Sequence, residues 1–279
     1  MKVAVLSGKG GTGKTFVSVN LAVTAKNAVY IDCDVEEPNG RLFLKPERIK
    51  ETPVYTRIPE FDAEKCTGCR KCVEFCRYNA LVFVREKPTV FSEVCHSCGG
   101  CALLCPEKAV TESRHPVGFI QDGIAGGVRV ITGIMNPGEV SAVPVIKAAL
   151  HAGENGNMLA VIDCPPGSGC PVMESVMSAD YCILVVEPTA FGFHNFRMVH
   201  RLATLLHKPC GVVVNKADEA YAPLEEYCAV NETPILLRIP YSTKLAELGA
   251  EGKIAVEHDA EITKVFRKLL AAIPKGAAE

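Results

Sequence analysis

No stretch of this 279-residue chain reaches the roughly 18 uninterrupted apolar residues that a membrane-spanning helix requires. The N-terminus does not read as a leader either. Met1-Lys2 runs straight into Val3-Ala4-Val5-Leu6, too short for the apolar part of a signal peptide, and then into a glycine loop. The expected location is cytoplasmic, and no role at a membrane is expected. An excess of one charge is missing as well. Thirty Lys and Arg stand against 32 Asp and Glu, a formal net charge of −2, so no global bias points to nucleic acid. Tryptophan is absent, which excludes nothing. Hydrophobic content of 48% and charged content of 22% are ordinary for a globular protein. The length suffices for one large α/β domain and a small module.

Cysteine, by contrast, is plentiful. Fourteen cysteines in a chain expected in the cytoplasm argue against disulfides and for metal. Six are scattered: Cys33, Cys164, Cys170, Cys182, Cys210 and Cys228. The other eight form two runs. The first is Cys66-x-x-Cys69-x-x-Cys72-x-x-x-Cys76, and the second is Cys95-x-x-Cys98-x-x-Cys101-x-x-x-Cys105-Pro106. Both match the bacterial ferredoxin spacing, in which the fourth cysteine ligates the other [4Fe–4S] cluster. One cluster would take Cys66, Cys69, Cys72 and Cys105; the other would take Cys95, Cys98, Cys101 and Cys76. Such spacing lets one loop wrap three corners of a cubane with its backbone amides facing sulfur. Tetrahedral zinc would prefer paired C-x-x-C knuckles further apart. The runs belong to an internal repeat: Glu64 to Leu81 matches Glu93 to Val110, 29 residues on. Cys76 is followed by Arg77 and not by proline, a departure that leaves the ligand set whole. His96, inside the second run, reads as a surface residue or one that tunes a cluster through hydrogen bonding.

Around this stretch the chain alternates apolar strands with amphipathic helices, which predicts a parallel sheet covered on both faces. The expected fold is a doubly wound, mostly parallel α/β P-loop domain with a small α+β ferredoxin-like insertion. Residues 1–59 and 114–279 would form the first and residues 60–113 the second. The Pro-punctuated stretch Pro46–Pro59 breaks the pattern and reads as a short connection, like Arg114–Pro116. Strands are expected at Val3–Leu6, Ala28–Cys33, Val128–Gly133, Met158–Asp163, Tyr181–Val186, Gly211–Asn215 and Pro234–Ile239. Among the helices expected between them is Val140–His151. Near the C-terminus, Ile262, Val265, Phe266, Leu269 and Leu270 recur at helical spacing, the stripe of a last helix packed on the sheet.

Gly8-Lys9-Gly10-Gly11-Thr12-Gly13-Lys14-Thr15 satisfies G-x-x-x-x-G-K-[ST] between a strand and a helix. Its glycines let consecutive amides curl around phosphates at a helix N-terminus. Lys14 should bridge the β- and γ-phosphates of ATP, and the Thr15 hydroxyl should ligate Mg²⁺. Asp163 ends an apolar strand and enters Cys164-Pro165-Pro166-Gly167, the setting of a Walker B carboxylate that holds Mg²⁺ through water.

Lys9 lies where an ordinary P-loop needs no charge. Ser7 to Thr15 therefore resembles the deviant Walker A motif of the MinD/ParA/Mrp/nitrogenase-iron-protein ATPases. The stretches Asp32 to Asn39, Gly169 to Val172 and Glu187 to Gly192 also look like members of this group that carry an inserted ferredoxin domain. The resemblance implies an ATPase that dimerises on ATP, as a homodimer or with a paralogue, with Lys9 reaching the partner's phosphates. It makes Asp34 the residue that positions the attacking water, Asp32 a carboxylate near Mg²⁺, and Asn215 and Pro240 contacts to the base. Three tasks remain open at this point: ATP-gated redox chemistry with a client protein, a metal-cofactor or iron–sulfur assembly ATPase, and a MinD-like spatial regulator with structural clusters. Cys170 follows Asp163 by seven residues, as a cluster ligand does in the nitrogenase iron protein. The iron protein also needs a second cysteine between the P-loop and Walker B; apart from the ferredoxin set and Cys33 no cysteine occupies that interval here, so a bridging cluster on Cys170 is unsupported and a lone Cys reads as a buried small hydrophobe.

Overall fold

The computed structural model describes residues 1–154, 156 and 158–274. Eleven strands occur among them: β1 Lys2–Leu6, β2 Ala28–Asp32, β3 Glu47–Phe61, β4 Leu81–Val84, β5 Lys87–Val90, β6 Val110–Ala125, β7 Val128–Met135, β8 Leu159–Asp163, β9 Tyr181–Val186, β10 Cys210–Asn215 and β11 Ile235–Ile239. Nine build one sheet in the order β11-β10-β9-β1-β8-β2-β7-β6-β3. From β11 to β7 every pairing is parallel. The innermost strands are buried on both faces, and β9 is buried at every position. This is why they read as unbroken apolar runs and not as alternating ones.

Helices cover both faces, as doubly wound sheets require. One face packs the helix Lys14–Ala25 and the C-terminal helix Ala260–Ala272 over Val3, Val5, Tyr30 and Val161. The other packs Val143–Ala152, Cys170–Met177, Ala190–Leu205 and Ala222–Val230 over Leu6, Ile31, Ile162 and Leu184. Phe266 and Leu269 of the C-terminal helix are fully buried, and Phe266 meets Phe16 edge-on at 5.9 Å. Each such side chain contributes roughly 1.5–3 kcal/mol by leaving water. No helix among the described residues is long and apolar enough to cross a membrane. The expected helix Val140–His151 begins later, at Val143: Pro144 falls in its first turn, where a missing N–H costs nothing.

The principal correction concerns Pro46–Pro59. It is no short connection but most of β3, a 15-residue strand paired antiparallel with β6 from Glu47↔Ile124 to Phe61↔Val110. Arg114–Pro116 likewise lies within β6. β6 in turn pairs antiparallel with β7. The sheet thus ends in a long two-stranded ribbon. Prolines are tolerated in β3 because it is the outermost strand, with one side free of any ladder. Its alternation is weak because nearly all of it is exposed; Val54 and Pro59 are its buried residues. Beyond Phe61 and Val110 the ribbon carries the cysteine-rich stretch, which holds the β4–β5 hairpin and the one-turn helices Lys71–Phe75 and Gly100–Leu103.

Candidate functional site

The loop Ser7–Gly13 joins the end of β1 to the helix that begins at Lys14. Gly13 has φ 92° at the helix N-cap, a conformation that favours glycine. A Cβ there would also lie 2.1 Å from Asn215 Nδ2. Gly8 is equally constrained, since a Cβ would lie 2.2 Å from the Asn195 carbonyl oxygen. Two side chains at the end of β10 hold the loop from outside. Asn215 Nδ2 donates to the Thr12 carbonyl at 2.8 Å, and Lys216 Nζ donates to the Gly11 carbonyl at 2.9 Å. In front of the loop lies a cleft of about 790 Å³, lined among others by Gly10, Gly11, Gly13, Lys14, Thr15 and Asp34. The Thr12 side chain does not line it, and its buried hydroxyl has no partner among the described residues.

Strand register brings the acidic candidates together. Asp32 ends β2 and Asp163 ends β8, and the two are register neighbours. Lys14 Nζ donates to Asp163 Oδ1 at 2.6 Å and lies 3.5 Å from Asp34 Oδ2. Asp32 accepts from the amides of Asp34 at 3.2 Å and Gly40 at 3.0 Å. Burial alone would lower the Lys14 ammonium, but Asp163, Asp34 and Asp32 outweigh it and hold its pKa above the usual lysine value. Burial pushes Asp32 up, and its neighbour Asp163 adds to the rise against the pull of Lys14. Burial raises Asp34 in the same way, again opposed by Lys14. One lysine among three carboxyl groups leaves oxygens to spare for a cation. With Thr15 facing the cleft, this donor set fits a hydrated Mg²⁺ accompanying a phosphate group.

Lys9 does not line the cleft. Its ammonium pairs with Glu187, whose other oxygen takes Lys216, and it lies 5.5 Å from the Phe191 ring centre. Pro240 is exposed just past β11, and the next amide, of Tyr241, donates to Asp218 Oδ1 at 3.0 Å.

The cysteine runs enclose two separate cavities. Cys66, Cys69, Cys72 and Cys105 line one; Cys76, Cys95, Cys98 and Cys101 line the other. Each therefore gathers three cysteines of one run and the last cysteine of the other. Backbone amides face the sulfurs: Ala109 N lies 3.3 Å from Cys105 Sγ, and the amides of Val73, Ser97 and Ala102 approach Cys72, Cys95 and Cys101. Four sulfurs and inward amides suit a cubane cluster. Among the described residues, no three His, Cys, Asp or Glu side chains close on a point as ligands of a single ion would. His96 stacks on Tyr78 with ring centres 3.8 Å apart, and both line the second cavity.

The family model of the CobQ/CobB/MinD/ParA nucleotide-binding domain matches residues 3–256. The chain belongs to this family. An uncharacterized protein of Methanocaldococcus jannaschii is 34% identical over 195 residues, covering 68% of each chain. In fold, the chain is similar to the septum site-determining protein MinD of Pyrococcus horikoshii, solved with Mg-ADP. The TM-score is 0.60 with 19% identity, covering 98% of this chain and 96% of that one. A second M. jannaschii protein, an uncharacterized ferredoxin, is 34% identical over 53 residues, 18% of this chain and 69% of its own.

Three residues of the family's cleft region were not among the sequence candidates in the roles they hold here. Asn215 appeared as a base contact, yet its amide nitrogen braces the loop. Glu187 opened a family-like stretch but was given no role, and here it sits between two lysines; Tyr30, whose hydroxyl reaches Asp163 at 2.8 Å, gave no motif-level signal. The contacts Tyr30–Asp163, Glu187–Lys9 and Asn215–Thr12 span 133, 178 and 203 residues.

Proposed function

We propose that this chain binds and hydrolyses ATP as an iron–sulfur protein whose nucleotide state governs electron transfer or the docking of a client. One observation carries the reading. A P-loop cleft with Lys14 among Asp32, Asp34 and Asp163 and two four-cysteine cavities share one chain, and the ribbon that carries the cysteines follows Asp34 after one short helix, starting at Glu47. The ferredoxin relative supports the iron–sulfur half and the family supports the nucleotide half.

In this reading, residues 1–59 and 114–279 form the ATPase domain and 60–113 the inserted module. The loop from Gly8 to Thr15 holds the triphosphate, with Lys14 as its main cation. Thr15 and Asp163 hold Mg²⁺, which would supply charge neutralisation at the phosphates. Asp34 orients the attacking water. Lys9 leaves Glu187 to serve a partner's site in an ATP-dependent dimer. Asn215, whose Nδ2 is taken by the Thr12 carbonyl, turns its Oδ1 to the base, and Pro240 is the second base contact. Cys66, Cys69, Cys72 and Cys105 hold one [4Fe–4S] cluster, and Cys95, Cys98, Cys101 and Cys76 hold the other. Clusters of this class supply one-electron transfer.

Anaerobic purification tests the proposal. The expected result is about eight iron and eight sulfide per chain, the content of two cubanes, together with Mg²⁺-dependent ATP hydrolysis. Zinc, four iron, or a protein inert toward ATP overturns the corresponding half.

A further inference from the structure

Tyr30 and Asp163 are brought together by strand register. Tyr30 of β2 pairs with Val161 of β8, and Asp163 lies two residues further along β8. Both side chains therefore emerge on the same face as diagonal neighbours. This is the face covered by the P-loop helix, where Tyr30 is fully buried. A tyrosine hydroxyl in such a place needs a partner, and it donates to Asp163 Oδ2 at 2.8 Å.

The two oxygens of Asp163 are thus divided: Oδ1 receives Lys14 and Oδ2 receives Tyr30. A carboxylate oxygen has no hydrogen to give, so in this pair the phenol is the donor. The ring also floors the segment after β2. A Cβ on Gly40 would lie 2.1 Å from the Tyr30 hydroxyl, while the Gly40 amide donates to Asp32 Oδ2. One phenol therefore touches both the carboxylate that ends β8 and the backbone anchored by the carboxylate that ends β2.

We propose that Tyr30 is a positioning residue for the magnesium site: its hydroxyl fixes the Asp163 carboxylate in the orientation that accepts hydrated Mg²⁺. The inference rests on reading Asp163 as the Mg²⁺-side carboxylate. Partners that orient ligating carboxylates typically change metal affinity by about 10- to 100-fold when removed.

The test measures binding of a fluorescent ATP analogue to the full-length, anaerobically purified protein across a MgCl₂ titration, referred to each variant's own affinity in EDTA. Tyr30→Phe removes one oxygen. The expected result is a rise of about tenfold or more in half-saturating Mg²⁺. A merely structural tyrosine would lower the urea midpoint and leave the Mg²⁺ requirement where it was, and that result overturns the proposal. Asp163→Asn runs alongside. If it raises the Mg²⁺ requirement and Tyr30→Phe does not, Tyr30 has no positioning role. If Asp163→Asn changes nothing, the reading of Asp163 falls and this inference with it. Should Tyr30→Phe fail to fold, Gly40→Ala, whose methyl group would displace the phenol, must raise the requirement in the same way; an unchanged requirement overturns the proposal.

Discussion

Lys14 is a single ammonium shared by three carboxylates, two of them within 3.5 Å. Such a lysine is already in the orientation to exchange a carboxylate for a phosphate. Lys14→Ala should therefore weaken ATP binding by about two orders of magnitude or more, because charge-assisted hydrogen bonds of roughly 1.5–3 kcal/mol each are lost. Asp34→Ala should bind ATP nearly as well and hydrolyse it slowly. Equilibrium binding and single-turnover hydrolysis check both, and equal loss of binding in the two variants would show that Asp34 supports the cradle and not the water. Lys9 is different in kind. In the proposed dimer its ion pair with Glu187 would have to break before it could serve another subunit, which would make Glu187 a threshold for dimerisation.

Among the elements, the helix Ala190–Leu205 carries a titratable lock. His200 is buried, with Nδ1 3.1 Å from the Tyr227 hydroxyl and Nε2 2.9 Å from Thr233 Oγ1. The Thr233 hydroxyl donates to the Asn231 carbonyl, so it accepts from Nε2–H, and Nδ1 accepts from Tyr227. Burial lowers the His200 pKa, because the neutral ring suits this pocket. The unfolded state therefore binds the proton first. The contribution of His200 to stability is complete above the unfolded value near 6.5 and is lost as pH falls through the lower folded value. Urea midpoints at pH 7.5 and 5.5 should fall more for the wild type than for His200→Gln; equal falls would contradict the lock.

The elements also show what could be read beforehand. The loop between β1 and its helix, the strand ends at Asp32 and Asp163 and the grouping of the cysteines were legible in place because each is a local pattern. The C-terminal helix was legible from the spacing of Ile262, Phe266 and Leu269. β3 was not, because a solvent-exposed outer strand with Pro53 and Pro59 lacks the apolar alternation that announces a strand. The clasps Asn215–Thr12, Glu187–Lys9 and Tyr30–Asp163 were not either. They join residues far apart in sequence, and only the sheet order determines that they meet.

At the scale of the whole molecule, the route from nucleotide to cysteines is short in sequence. Asp32 anchors Gly40, the helix Gly40–Leu44 follows, and β3 begins at Glu47. The proposed coupling would run along this segment from Asp32 to the ribbon. A non-hydrolysed ATP analogue should shift the reduction potential of at least one cluster by on the order of 40–130 mV. That range corresponds to a typical coupling of roughly 1–3 kcal/mol, with 59 mV per tenfold in a one-electron couple. Oxidised and reduced protein must then differ in ATP affinity by the matching factor. Anaerobic potentiometry with and without analogue decides it, and identical midpoints would make the cysteine-rich stretch an independent passenger.

The ribbon also determines what the rest of the chain experiences. Phe61 and Val110 are register partners, so the sheet is left and re-entered at one point, as it would be by any hairpin. For a flexible closure, doubling the intervening length costs only about 0.6 kcal/mol. A stretch that folds on itself with its ends already side by side imposes less still. The ribbon tip is thus a socket. For its own closure the sheet requires only that Phe61 and Val110 be joined, and the length of what joins them adds little to that cost.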